Sequence, residues 1–307
     1  VKLFLKKEKA NRRLRPCRQS MEFVFGDLTD RESVMEACKN VDVAIHLAAI
    51  IPPLADELPE LAEKVNIEGT KHLLDGLELH APDAFLMYSS SVSVYGDRLE
   101  DPNIKVGDTL QASVGDEYAV TKMAAEKLIQ ESKLDWSIMR LCAIMGNHKM
   151  SKLMFHMPLA TKMEIATPRD TARAFVNGLH KRIALKGKIF NLGGGAKMRL
   201  TYQELLNRSF AIFGLGKAEF SDYVFATKNF HCGFYMDGDA LDEILQFRRD
   251  TLDTYFRSVE NGVPQLQKML TAPFKGFIKK QLANKSEPLQ AIKSGDQKMI
   301  KRFFGEI

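Results

Sequence analysis

The apolar positions of this chain switch repeatedly between a short-strand and a helical rhythm. Val1-Lys2-Leu3-Phe4-Leu5 predicts a short strand, and residues 21–25 predict a second. The second strand stops at Gly26-Asp27-Leu28-Thr29-Asp30, where Thr29 or Asp30 caps a helix that buries Val34, Ala37 and Cys38. Residues 41–47 are nearly all apolar, as expected of a parallel strand buried on both faces. A long helix over 59–79 and a fourth strand over 84–88 follow, then a helix from Tyr118 to about Ser132 and a fifth strand over 136–141. This alternation predicts an α/β fold with a doubly wound parallel sheet.

Composition narrows the class. Hydrophobic residues at 45% and charged residues at 27% describe an ordinary globular chain, with no run long enough to span a bilayer and no leader pattern. Cys17, Cys38, Cys142 and Cys232 are scattered, which argues against a disulfide framework and against zinc. A reducing, cytoplasmic setting follows as the default. The net charge of +5 sits at the ends: residues 1–18 hold eight Lys/Arg and one Glu, residues 274–307 hold eight Lys/Arg and three acids, and the body between is net acidic. That body lacks the basic stripe with interleaved aromatics that nucleic acid requires.

Candidate chemistry centres on Ser89-Ser90-Ser91 and on Tyr118-Ala119-Val120-Thr121-Lys122. Tyr118 and Lys122 stand four apart and share one helix face. A nearby ammonium favours the phenolate over the phenol, so the pair is suited to proton transfer at a substrate oxygen, which a serine hydroxyl can also hold. A surface Tyr and Lys would show the same spacing. Asp27, Ala48, Ala49 and Ser91 lie at or just after strand ends, where open parallel sheets bind ligands. Small residues at 48 and 49 let a flat cofactor approach the backbone, and Asp27 can accept from an adenine amine. A turn residue at 27 and close packing at 48–49 are the structural alternatives.

Taken together, Gly26-Asp27-Leu28, His46-Leu47-Ala48-Ala49, Asn66-x-x-Gly69-Thr70, Ser89-Ser90-Ser91-x-x-x-Tyr95-Gly96 and Tyr118-x-x-x-Lys122 resemble the extended short-chain dehydrogenase/reductases of the NAD-dependent epimerase/dehydratase family. The resemblance covers about residues 1–255. It implies a Rossmann fold, Ser91, Tyr118 and Lys122 as the catalytic set, and Asn66 as a structural or relay residue. It implies dinucleotide contacts from Lys6, Asp27, Leu28, Leu47, Ala48, Ala49, Tyr118 and Lys122. Lys6, with Arg12 and Arg13 beyond it, weighs for NADP over NAD. The family's Arg-Pro after the fifth strand reads Arg140-Leu141 here. Its first strand and G-x-x-G-x-x-G turn have no counterpart, Val1 matching the second strand. One more βα unit upstream is therefore expected, and residues 1–307 alone should bind dinucleotide weakly. Gly193-Gly194-Gly195 has the wrong spacing for a phosphate loop and reads as a structural turn.

The expected organisation is a dinucleotide-binding domain over 1–146 with returning elements at 168–195, a smaller C-terminal substrate lobe over 147–167 and 196–273, and a basic amphipathic tail over 274–307. Within the lobe, Pro168-Arg169-Asp170 opens a helix, and the aromatic stretch 225–237 walls a pocket or fills a small core. In the tail, Phe274, Phe277, Ile278 and Leu282 lie among lysines, which suits either packing on the body or peripheral contact with an anionic membrane. The expected function is NAD(P)-dependent hydride transfer at a secondary alcohol or ketone of a small molecule, a nucleotide sugar among the candidates, as a dehydrogenase/reductase or an epimerase. A homodimer is compatible with this. The rival reading is a catalytically impaired dinucleotide-fold binding module that contacts a partner or membrane through its tail.

Overall fold

The computed structural model describes residues 1–6, 20–146 and 152–306. Arg12, Arg13, Cys17 and the start of the expected substrate lobe at Asn147 lie outside them.

In chain order the strands are β1 Lys2–Leu5, β2 Glu22–Phe25, β3 Val43–His46, β4 Phe85–Ser91, β5 Asn103–Ile104, β6 Asp135–Leu141, β7 Ala143–Ile144, β8 Lys162–Ala166, β9 Lys188–Leu192, β10 Arg199–Thr201 and β11 Phe234–Tyr235. The helices are α1 Arg31–Ala37, α2 Leu54–Glu57, α3 Pro59–Glu63, α4 Gly69–His80, α5 Glu117–Glu131, α6 Pro168–Gly178, α7 Arg182–Leu185, α8 Tyr202–Ile212, α9 Asp239–Leu245, α10 Leu252–Asn261, α11 Gln265–Thr271, α12 Lys275–Ala283, α13 Glu287–Ser294 and α14 Gln297–Phe304. The chain divides into two compact units. The first is Val1–Ser90, Glu117–Met139 and Arg182–Ile189; the second is Ser91–Asp116, Arg140–Lys181 and Phe190–Ile307.

The first unit is an α/β, Rossmann-like body with parallel strands. Asp30, not Thr29, caps α1 by accepting from the Glu32 N–H. β1 pairs with β2 in parallel, and β3 pairs with β4 in parallel. The larger sheet is ordered β3-β4-β6-β9. β1-β2 forms a separate sheet, so β1 and β3 each keep one edge without a strand partner among the described residues. This alters β3. Its apolar run predicts burial on both faces, yet Ile45 is 37% exposed and Val43 and Ala44 are only half-buried. β4, flanked on both edges, is buried from Phe85 to Ser90. The core beneath joins Val34, Leu74, Leu77, Leu86, Ala125, Ile129 and Ile138, with Phe4 and Ile189 against it.

The helix expected over 59–79 is α3, a π-helical turn at Lys64–Glu68, and α4. The extra residue in that turn carries Asn66, whose side chain is committed elsewhere, as described below. Wide turns of this kind gather at functional positions.

The second unit takes in 91–116 and the C-terminal helices together with the stretch expected as a substrate lobe. After β4 the chain turns into contacts such as Tyr95 with Asn191 and the Arg98 N–H with the Phe230 carbonyl. Its small sheet is β10-β8-β7, and β5 pairs with β11. Thr167 caps α6, and Thr201 caps α8 through a reciprocal bond with Glu204. Phe225, Cys232 and Tyr235 are buried, and Phe225 and Cys232 lie in the core with Phe155, Phe210 and Tyr255, so much of the aromatic stretch fills core. Gly193–Gly195 is a turn folded around the buried Glu164 carboxylate, which accepts from the Gly195 N–H at 2.9 Å. A carboxylate thus stands where a phosphate loop would need its anion. Arg140, followed by Leu141 where the family has proline, is buried and donates to the Tyr95 hydroxyl and the Val106 carbonyl.

Candidate active site

Helix α5 starts where the Glu117 N–H donates to the Asp56 carboxylate, 3.2 Å away. From there Ala119, Lys122, Ala125, Glu126 and Ile129 form its buried face. Lys122 is therefore pulled into the body: it is 1% exposed, and its ammonium donates to the Ser89 carbonyl of β4 at 2.7 Å. The same nitrogen lies 4.5 Å from the centre of the Tyr88 ring and 5.6 Å from that of Tyr118, which is half-buried. Burial pulls the Lys122 pKa down to about 7, with Glu126 opposing the fall. Two of the three expected catalytic residues are thus brought together. Ser91 ends β4 two residues beyond Ser89 and begins the second unit; its hydroxyl accepts from the Ser93 N–H at 3.2 Å.

A second layer supports this pair. The Ser90 hydroxyl donates to the Glu126 carboxylate, which is 1% exposed. Asn66 accepts from the Ile50 N–H at 2.7 Å and donates to the Ile50 carbonyl and to the Thr121 hydroxyl, each at 2.9 Å. Thr121 donates in turn to the Tyr118 carbonyl. One side chain therefore ties the loop after β3 to the turn of α5 between Tyr118 and Lys122. His46 lies 3.0 Å from the Thr70 hydroxyl and packs on Tyr88. Burial, with the Lys122 charge second, lowers the His46 pKa to about 3, so this imidazole is neutral. Tyr88 is driven the other way, well above the usual phenol range, by burial and then by Tyr118 and Glu126.

The sequence reading missed Ser90, Glu126 and Thr121 as partners. One signal was present: Glu126 stands four residues beyond Lys122 and extends the Tyr118–Lys122 face by another turn.

The expected dinucleotide contacts fall into two groups. Leu47 and Ala48 are exposed and Ala49 is half-buried, which leaves the loop after β3 open to a ligand. Lys6 and Asp27 engage each other, ammonium to carboxylate at 2.5 Å, and Asp27 also accepts from the Thr29 N–H. Partial burial raises the Asp27 pKa, but the bonds from Lys6 and Thr29 outweigh it and the net shift is downward. The Leu28 carbonyl faces His72 Nδ1 at 2.9 Å. The residues present therefore fit the nicotinamide end of a dinucleotide at Lys122, Tyr118 and the 47–49 loop. For the pyrophosphate, no G-x-x-G-x-x-G turn occurs among the described residues. Among the described residues no cluster of three His, Cys, Asp or Glu could hold a metal ion, and no helix is long and apolar enough to cross a membrane.

Residues 4–193 match the model of the NAD dependent epimerase/dehydratase family, and the chain belongs to that family. Among curated relatives, 3 beta-hydroxysteroid dehydrogenase/Delta 5-->4-isomerase of Mycobacterium tuberculosis is 28% identical over 186 residues, 55% of this chain and 49% of that protein. D-erythronate dehydrogenase of Cupriavidus necator is 25% identical over 179 residues, 51% of this chain and 55% of that protein. The chain thus spans about half the length of these relatives. Among solved structures, DesIV, a dTDP-glucose 4,6-dehydratase from Streptomyces venezuelae with NAD bound, aligns with a TM-score of 0.68 at 21% identity, covering 84% of this chain and 86% of that one. A UDP-glucuronic acid 4-epimerase from Bacillus cereus aligns with a TM-score of 0.65 at 17% identity, covering 78% and 81%. At these identities the likeness is one of fold.

Proposed function

We propose that this chain carries the proton-handling centre of an NAD(P)-dependent oxidoreductase or epimerase acting at a secondary alcohol or its ketone. The observation that carries the reading is the buried Lys122 ammonium, held by the Ser89 carbonyl and facing the Tyr118 ring. A phenol ordinarily ionises near pH ~10, and a cation this close stabilises its anion. Tyr118 then takes the hydroxyl proton of an alcohol, or gives one to a ketone, near neutral pH. Ser91 orients the same oxygen by its hydroxyl. Lys122 lowers the pKa of Tyr118 and binds the nicotinamide ribose. The dinucleotide supplies the hydride acceptor or donor. Leu47, Ala48 and Ala49 take its flat ring system, and Asp27 and Leu28 its adenosine end.

The substrate class we favour is a nucleotide sugar, on the named activities of the solved neighbours; of the curated relatives, one is named for hydroxysteroids and one for D-erythronate. NADP is preferred to NAD because Lys6, directly after β1, stands where the resemblance expects a phosphate-binding residue, although the DesIV structure carries NAD. A second reading has one observation in its favour. The edges of β1 and β3 that have no strand partner among the described residues suit a chain that keeps the fold as a binding module. Incubating the chain with dinucleotide and a panel of nucleotide sugars and hydroxysteroids separates these readings. A change in reduced-nicotinamide absorbance marks a dehydrogenase, product without that change marks an epimerase or dehydratase, and no turnover with any substrate rejects the enzyme reading.

A further inference from the structure

We propose that α11, the 3-10 turn at Ala272–Phe274 and α12 form a docking face for an anionic lipid surface. Five large apolar side chains on this segment point to solvent: Leu266 is 66% exposed, Met269 71%, Leu270 61%, Phe274 61% and Phe277 64%. Single exposed apolar residues are ordinary, but a run of five within twelve residues of one short segment is not. The segment is nevertheless fixed to its unit. Thr271 donates to the Phe213 carbonyl at 2.6 Å, and Ile278, Leu282 and Ala283 pack on the aromatic core. The outward side chains are therefore displayed by an anchored helix pair.

The charge pattern selects the occupant. Between Glu260 and Glu287 the chain has Lys268, Lys275, Lys279, Lys280 and Lys285 and no acid. Lys268 pairs with Glu260, and Lys279 donates to the Lys217 carbonyl. Lys275, Lys280 and Lys285 have no carboxylate within ion-pair distance among the described residues. A second copy of the same face would set these lysines against each other. An acidic headgroup layer takes both parts at once, the lysines at the phosphate level and the Phe, Leu and Met side chains below it. The structure also divides the expected 274–307 tail. Its second half is packed, with Ala291, Phe303 and Phe304 buried together and Ser286 donating to the Val224 carbonyl. The docking face is thus 265–280 rather than the terminal helices. This inference does not depend on the reaction proposed above.

The test is sedimentation of the full chain with phosphatidylcholine vesicles, with and without phosphatidylserine. Binding is expected only where phosphatidylserine is present, and it should weaken as salt rises. Phe274→Ser with Phe277→Ser, and separately Lys275→Gln with Lys280→Gln, should each lower the partition by about tenfold or more with an unchanged melting temperature. Absence of binding overturns the proposal, as does binding that neither pair of substitutions changes. Self-association without vesicles that Phe274→Ser/Phe277→Ser abolishes would assign the face to a second copy and overturn it too. Equal binding to polyglutamate, insensitive to the Phe substitutions, would show a cation patch alone and overturn the lipid assignment.

Discussion

The Lys122 ammonium donates to the Ser89 carbonyl at 2.7 Å from a site that is 1% exposed, so β4 and α5 meet at a buried charge. A buried ammonium costs free energy unless something nearby needs its charge. Under the proposed mechanism that need is the Tyr118 phenolate. Lys122→Met should therefore lower both turnover and dinucleotide affinity, which steady-state kinetics and a dinucleotide titration would separate.

The same burial sets a pH dependence of stability. Lys122 titrates near 7 in the folded chain against 10.5 unfolded. Between these values the unfolded chain holds a proton that the native chain has released, so stability rises with pH across that window and is lost again as pH falls toward 7. Denaturant unfolding from pH 7 to 10.5 should show this rise, on the order of a few kcal/mol, and Lys122→Met should flatten it.

His46 gives the acid counterpart. Its folded pKa of about 3 lies below its ordinary 6.5 because of burial and then Lys122. Its contribution is intact above 6.5 and is lost as pH falls through 6.5 toward 3. His46→Gln, which keeps a partner for Thr70, should remove that part of the acid destabilisation in a melting-temperature series. An unchanged acid limb would reject a neutral buried histidine.

Glu126 should tune the site without touching substrate. It opposes the depression of the Lys122 pKa, so Glu126→Gln should move the alkaline limb of the pH–rate profile toward lower pH, while Gln still accepts from Ser90. Glu126→Asp should restore the limb in part. A pH profile identical to the parent's would make Glu126 purely structural.

The C-terminal helices are expected to support the second unit. Phe303 is buried beside Phe304 and Ala291, and Glu287 accepts from His156 and Lys152, each at 2.7 Å. The His156 bond foremost, then Lys152, holds the Glu287 carboxyl down at about 2. Phe303→Ala should cost about 3–5 kcal/mol in urea unfolding. Truncation near Ala272, which a free tail would tolerate, should destabilise the unit.

Much of this was legible in the sequence, and the exceptions have physical causes. Local pattern suffices for α5 and α6, whose buried faces follow the 3.6 repeat, and for β4, whose apolar start matches a strand buried on both faces. The Tyr118–Lys122 pair was legible for the same reason. The half-exposure of Ile45 was not, since an apolar run does not state whether both strand edges are paired. The packing of Ser286 on the Val224 carbonyl lies 62 residues away in the chain and leaves no local pattern. The Lys6–Asp27 pair was equally hidden. Each residue carries an expected ligand role by itself, and only the parallel pairing of β1 with β2 brings the two side chains together.

The most direct test of the central claim is turnover of the Tyr118→Phe chain beside the parent, with dinucleotide affinity measured on both. The proton route alone is removed, so turnover should fall by about 10²–10⁴-fold while affinity stays within about twofold. Undiminished turnover in Tyr118→Phe would contradict the assignment of Tyr118 as the acid–base group.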